Sequence, residues 1–217
     1  MKKHDCALFD LDGVIVDTAK FHFLAWKKIA SIFNYDLTSN DNEQLKGVSR
    51  SDSLQIILKM ANTVIEPSKF EKYLAQKNLD YLDFIQDLGP KDILPGISET
   101  LIFLNKRKVK IGLGSASKNA EVILNKLGLS SFFEIVIDGN KVNKSKPHPE
   151  VFLRGSSALG VAPEKCLVFE DSASGIISAK AAGMTAVAIG NPDKFLNEDF
   201  CYPDFHSLVQ NDLDKLF

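Results

Sequence analysis

The segment Cys6-Ala-Leu-Phe9-Asp10-Leu-Asp12-Gly13 sets four apolar residues directly ahead of two carboxylates and a glycine. A short apolar run closed by polar residues fits a strand buried on both faces and running into a loop. Side chains alternate along an extended backbone, so Asp10 and Asp12 are directed to the same side and two acids can face one substrate. The plainer reading makes Asp12-Gly13 a turn and Asp10 an edge charge.

Four more runs look alike: Val109-Gly114, Ile135-Ile137, Cys166-Phe169 and Thr185-Ile189. Helical patterns lie between them. These are Ile97-Arg107 after Pro95-Gly96, Ala120-Leu127 stopped by Gly128, Pro149-Leu159 stopped by Gly160, and Ser172-Ala182 stopped by Gly183. Strand alternating with helix predicts an α/β fold, a Rossmann-like parallel sheet with helices on both faces. From about Thr18 to Leu88 the alternation stops. Only helical patterns occur there: Phe21-Phe33, Arg50-Ala61 and Pro67-Asp87, the last read as two helices. The expected organisation is a discontinuous core, residues 1–16 and 89–217, with a helical cap at 17–88. Asp36-Asn42 reads as a polar turn. Gly139-Pro149 reads as a long basic loop at the end of the sheet where such folds bind ligands.

With 45% apolar and 25% charged residues over 217 positions, the chain is neither disordered, collagenous nor a coiled coil. Its 26 basic and 28 acidic side chains give a net charge of −2, which argues against nucleic acid or a membrane surface as partner. No 18 apolar residues follow one another and the N-terminus lacks a signal-peptide core, so the expected location is the cytosol. The expected partner is a small molecule, met by a monomer. Cys6, Cys166 and Cys201 lack metal-type spacing and read as small hydrophobes in a reducing compartment.

A second acid pair, Glu170-Asp171, ends another predicted strand and opens a helix, so an N-cap is the plainer role for Asp171. Four carboxylates at two strand ends repel one another unless a cation lies between them, and hard oxygen donors favour Mg²⁺. Ser115-Ala-Ser-Lys-Asn119 is a hydroxyl- and amide-rich helix entrance suited to an oxyanion. Lys146, before Pro147, is a basic side chain on the ligand-facing loop, its plainer reading being a solvated lysine. No G-x-x-x-x-G-K-[ST] run occurs, which excludes a P-loop kinase. Receiver domains share an acid cluster, Ser/Thr and Lys, but have neither an acid at the Asp12 position nor the insert.

Taken in order, Asp10/Asp12, Ser115, Lys146 and Glu170/Asp171 resemble the four motifs of the haloacid dehalogenase-like phosphotransferase superfamily. The resemblance implies that Asp10 attacks phosphorus to form an aspartyl phosphate and that Asp12 is general acid and base. It also implies Mg²⁺ held by Asp10, Glu170, Asp171 and the Asp12 carbonyl, with Ser115 and Lys146 offsetting phosphoryl charge. Holding Asp12 half-protonated near neutrality means raising its pKa by roughly three units, about 4 kcal/mol, and a lid that excludes water pushes that way.

The insert carries a narrower likeness. Thr18, His22, Trp26, the stretch from Glu43 to Ser53 and Lys77-Asn78 look like the cap of the β-phosphoglucomutase family, as do Ser115-Asn119 and Ser145-Lys146-Pro147. The implied substrate-binding set is Thr18, His22, Trp26, Lys46, Gly47, Val48, Ser49, Arg50, Ser53, Lys77, Ser115, Ala116, Ser117, Lys118, Asn119 and Lys146. The implied reaction converts β-D-glucose 1-phosphate to glucose 6-phosphate through a 1,6-bisphosphate. A mutase needs a second anion pocket, assigned by this likeness to Arg50 with Ser117, Lys118 and Asn119. The alternative is a sugar-phosphate phosphatase, with water as acceptor. Gly112-Leu113-Gly114 and Ser51 depart from the family pattern.

Overall fold

The computed structural model describes residues 4–217. Six strands, β1 (Cys6–Phe9), β2 (Lys110–Gly114), β3 (Ile135–Ile137), β4 (Cys166–Glu170), β5 (Thr185–Ile189) and β6 (Phe200–Tyr202), form one sheet in the order β3-β2-β1-β4-β5-β6. Every neighbouring pair is parallel. The five expected strands are all present, and β6 adds an edge strand. Phe9 pairs with Leu113 and Phe169, so the residue after β1, Asp10, emerges level with the end of β4. Strand order reverses between β1 and β4, the switch point at which open α/β sheets hold their ligands.

Residues 17–88 carry four helices: α1 (Ala19–Ile32), α2 (Ser39–Glu43), α3 (Arg50–Met60) and α4 (Pro67–Phe84). Trp26, Ile29, Leu54, Ile57 and Leu74 form an apolar cluster of their own. Two expectations fail here. The predicted polar turn holds the short α2, because Thr38 and Asp41 close a reciprocal capping box. The predicted pair of helices is the single α4, which opens on Pro67 at its first turn and contains no glycine or further proline to break it.

The sheet is covered by α5 (Ile97–Lys106), α6 (Ala120–Leu127), α7 (Glu150–Leu159), α8 (Ala173–Ala181), α9 (Phe205–Asn211) and α10 (Leu213–Leu216). Strand alternation sends Ala7 and Phe9 into one layer with Leu101, Ile123 and Phe205, and Cys6 and Leu8 into the other with Phe152 and Ile176. The unusual glycines of β2 have a packing reason. A Cβ on Gly114 would strike the Phe152 ring, and one on Gly112 would strike Leu8 and Ile135. Cys6 and Cys166, paired across β1 and β4, are buried, and all three cysteines are free thiols.

The chain crosses between sheet and insert twice, side by side. Val16 bridges Ile93 in antiparallel fashion, and the Leu94 amide donates to the Ile15 carbonyl at 2.9 Å. Among the described residues no helix is long and apolar enough to cross a membrane.

Candidate active site

At the end of β1 the Asp10 carboxylate is 6% exposed, and the Lys146 ammonium reaches both Asp10 Oδ1 (2.6 Å) and Glu170 Oε1 (2.5 Å). Lys146 is therefore a buried counter-ion and not a solvated loop residue. Glu170 is held from its other side: Oε2 accepts from the Ser172 amide at 2.7 Å and its hydroxyl at 2.8 Å. A Cβ on Gly175 would collide with this carboxylate, so the first turn of α8 closes directly over it. The N-cap of α8 is Ser172, whose hydroxyl accepts from the Gly175 amide, so the plainer role for Asp171 falls away. Asp171 instead lies against Gly13, where a Cβ would strike it.

Burial drives the Asp10 pKa upward, opposed by Lys146 and reinforced by Glu170 and Asp12. Burial likewise raises Asp171 well above the carboxylate range, with Glu170 and Asp10 adding to the rise. An excess of carboxylates around one lysine favours the binding of further positive charge. Hard oxygen donors on Asp10, Asp12, Glu170 and Asp171 suit a small divalent cation. Among the described residues no three such side chains are gathered into a closed ligand set, and Lys146 takes one oxygen each from Asp10 and Glu170. Donor chemistry and charge both fit Mg²⁺.

Asp12 faces the insert. Its Oδ1 accepts from the Thr18 hydroxyl and lies 3.8 Å from His22 Nε2. Burial raises the Asp12 pKa and the Thr18 bond lowers it. His22 stacks on Tyr81 at 4.1 Å between ring centroids, and its Nδ1 lies 2.6 Å from Lys77 Nζ. Burial, then Lys77 and Arg50, push the His22 pKa well below its usual value, which favours the neutral ring. Lys77 is 2% exposed, with its ammonium over the rings of Trp26 (5.0 Å) and Tyr81 (4.8 Å). Trp26 thus serves the core of the insert and the wall of the site at once.

Burial and Arg50 lower the Lys77 pKa to about 7. Its folded pKa lies below that of the unfolded chain, so stability rises with pH from about 7 to about 10 and the penalty is full below 7. Lys77→Met is expected to raise the unfolding free energy, with the gain over wild type larger at pH 6 than at pH 9 by about 3 kcal/mol. Calorimetry at both pH values checks this, and equal gains would exclude a buried, destabilised ammonium.

Arg50 opens α3 and donates through Nη2 to Asn78 Oδ1 at 2.8 Å. Asn119 Nδ2 donates to the same oxygen at 2.9 Å, so an arginine at the start of α3 and an amide at the start of α6 meet on one acceptor. Ser115 is fully buried, and its Oγ accepts from the Ser117 amide, leaving the hydroxyl proton to donate elsewhere. Ser117 Oγ accepts from the Asn119 amide in turn. Asp10, Asp12, His22, Trp26, Arg50, Ser53, Lys77 and Asp171 line one cleft with Lys46, Gly47, Val48, Ala116, Ser117 and Lys118. The cleft has about 740 Å³ of empty volume, part of it open to solvent. Gly47 is at φ +71°, and a Cβ there would hit the Ser172 and Ser174 hydroxyls, so this loop docks on the start of α8. Ser49 caps α3 by accepting from the Asp52 amide and does not line the cleft.

Sequence reasoning gave no role to Asn78, Tyr81, Ala19, Asn42 or Leu45, the last three of which line the cleft. Asn78 stood beside Lys77 in the stretch that carried the cap likeness, and that was its only signal.

A buried aspartate at the switch point, a second acid two residues on and a lysine between strand-end carboxylates thus meet at one end of a parallel sheet, beside the helices of residues 17–88. The chain belongs to the haloacid dehalogenase-like hydrolase family, whose model matches residues 7–189. It is an enzyme of the isomerase and phosphotransferase kind, similar to β-phosphoglucomutase. The β-phosphoglucomutase of Bacillus subtilis is 42% identical over 88% of this chain and 86% of its own length. The crystal structure of β-phosphoglucomutase from Clostridium difficile superposes with a TM-score of 0.93 at 37% identity, covering 98% of each chain. A fructose-1-phosphate phosphatase of Escherichia coli is 32% identical over 84% of this chain and 94% of its own.

Proposed function

We propose that the protein converts β-D-glucose 1-phosphate to β-D-glucose 6-phosphate through an aspartyl-phosphate enzyme and a β-glucose 1,6-bisphosphate intermediate. One observation carries this reading: Arg50 lines the same cleft as Asp10, and it shares the Asn78 side-chain oxygen with Asn119. A planar guanidinium flanked by amide and hydroxyl donors suits a phosphate that is not reacting. Hydrolysis of a monoester needs one anion site; turning over a bisphosphate needs two.

In this scheme Asp10 Oδ attacks phosphorus while Lys146 and the Ser115 hydroxyl offset charge on the phosphoryl oxygens. Asp12 protonates the departing sugar oxygen and takes the proton from the incoming hydroxyl in the reverse step. His22, neutral and stacked on Tyr81, stands between Asp12 and Lys77. Residues 17–88 act as a cap over residues 1–16 and 89–217, bringing Arg50 and Lys77 over the cleft and excluding water. Mg²⁺, held by Asp10, Glu170, Asp171 and the Asp12 carbonyl, would supply positive charge against the transferred group and lower the repulsion that the nucleophile meets.

The likeness to the fructose-1-phosphate phosphatase favours a second reading, hydrolysis of a small sugar phosphate. The two are separated by incubating the protein with Mg²⁺, a trace of glucose 1,6-bisphosphate and either anomer of glucose 1-phosphate. The expected result is 6-phosphate from the β anomer alone, with inorganic phosphate released at under about a hundredth of that rate, the discrimination two well-placed polar contacts provide. Stoichiometric phosphate without 6-phosphate would replace the mutase reading with the phosphatase one.

A further inference from the structure

The loop that delivers Lys146 is tied to the cap by its preceding residue. Ser145 Oγ donates to Asp52 Oδ2 at 2.5 Å, joining a core loop to the first turn of α3 across 93 positions of sequence. The same oxygen accepts from Ser49 Oγ at 2.6 Å, and the Asp52 amide donates back to Ser49 Oγ at 3.1 Å. One carboxylate is thereby fixed by the helix cap and offered to the core. Arg50 lies two residues before Asp52, and Lys146 one residue after Ser145. A single hydrogen bond thus links the segment carrying the cap's guanidinium to the segment carrying the ammonium that holds Asp10 and Glu170.

We propose that Asp52 is a positioning residue: by accepting from Ser145 when the cap is down, it couples closure to the placement of Lys146. This rests on the phosphoryl-transfer reading with a closing cap. Neither residue touches the reacting atoms. An open cap breaks the bond, leaving the Lys146 loop held only from the core side, where Ser178 Oγ donates to the His148 carbonyl at 2.9 Å. Such a device penalises transfer before the sugar is enclosed, when water is the only acceptor.

Ser145→Ala removes the cross-contact and leaves the α3 cap intact, so it separates coupling from helix stability. Trp26 is the only tryptophan and lines the cleft, so its fluorescence reads closure. In metal-free buffer, where neither reading allows turnover, glucose 6-phosphate is expected to titrate Ser145→Ala, Asp52→Asn and the double variant with midpoints about tenfold weaker than wild type. The double variant should lose no more than either single, and Ser145→Thr should stay within about twofold of wild type. With Mg²⁺ present, kcat/KM should fall by the same factor. Unchanged midpoints in Ser145→Ala, or single losses that multiply in the double variant, would overturn the coupling. If the wild-type protein releases phosphate and does not isomerise, the mutase reading fails, while the fluorescence cycle still decides the role of Asp52.

Discussion

Asp10→Asn is expected to abolish phosphoenzyme formation and lower turnover by at least about four orders of magnitude, the usual loss when a covalent nucleophile is removed. An amide oxygen is too weakly basic to attack phosphorus, and no second carboxylate can take the role in place. Glu170 is occupied by Lys146 and Ser172, Asp12 is held by the Thr18 hydroxyl, and Asp171 lies against Gly13. The variant should still fold, because Lys146 keeps Glu170 as its partner and one charge leaves an overcrowded anionic cluster. Single-turnover reaction with acetyl phosphate, quenched in acid and read by mass spectrometry, measures the acyl phosphate directly. A phosphorylated Asp10→Asn protein, or one that keeps a tenth of normal turnover, would remove Asp10 as the nucleophile.

Asp12→Asn is expected to slow transfer from sugar phosphates by about two to four orders of magnitude, the range that general acid-base help provides. The loss should depend on the leaving group. A sugar alkoxide must be protonated as it departs, whereas acetate leaves as a stable anion and needs no proton. Phosphorylation of Asp10 by acetyl phosphate should therefore fall by less than about tenfold in the same variant. Mg²⁺ affinity should stay within about twofold, since the proposed ligand at this position is a backbone carbonyl. Equal losses with both donors would move Asp12 from proton transfer to a structural role.

The parts of the fold and site that were legible in the sequence are those where local chemistry and tertiary position coincide. β1 and β4 read as apolar runs because both faces are covered, and the acids that end them could only lie at the open end of the sheet. β6 was not legible, being three half-buried residues between Asp199 and Pro203 with no room for a period to show. α4 was misread as two helices because its buried stripe, Leu74, Lys77 and Tyr81, has a lysine at its centre, which breaks an apolar pattern while keeping a helical spacing. His4, given no role from sequence, is buried and bonds the Leu216 carbonyl and the Thr185 hydroxyl, groups that lie about two hundred positions away. Asn78 and the Asp52–Ser145 pair were hidden for the same reason. Their meaning lies in contacts between distant segments, and neither residue type has a spacing that announces it.

The paired crossings at Val16 and Ile93 have a mechanical consequence. A lobe hung on one segment can spin about that segment; one hung on two adjacent, hydrogen-bonded segments is limited to swinging like a door. For the cap proposed above, opening about this pair would be nearly one-dimensional, with Thr18 two residues from the Val16 bridge. A small angular change about that pair would disturb the Thr18–Asp12 contact less than contacts made farther along the insert. In the proposed mutase reaction, a ligand that touches both the cap and the sheet end would set the angle by its own length, so the crossing would measure the distance between its two phosphates.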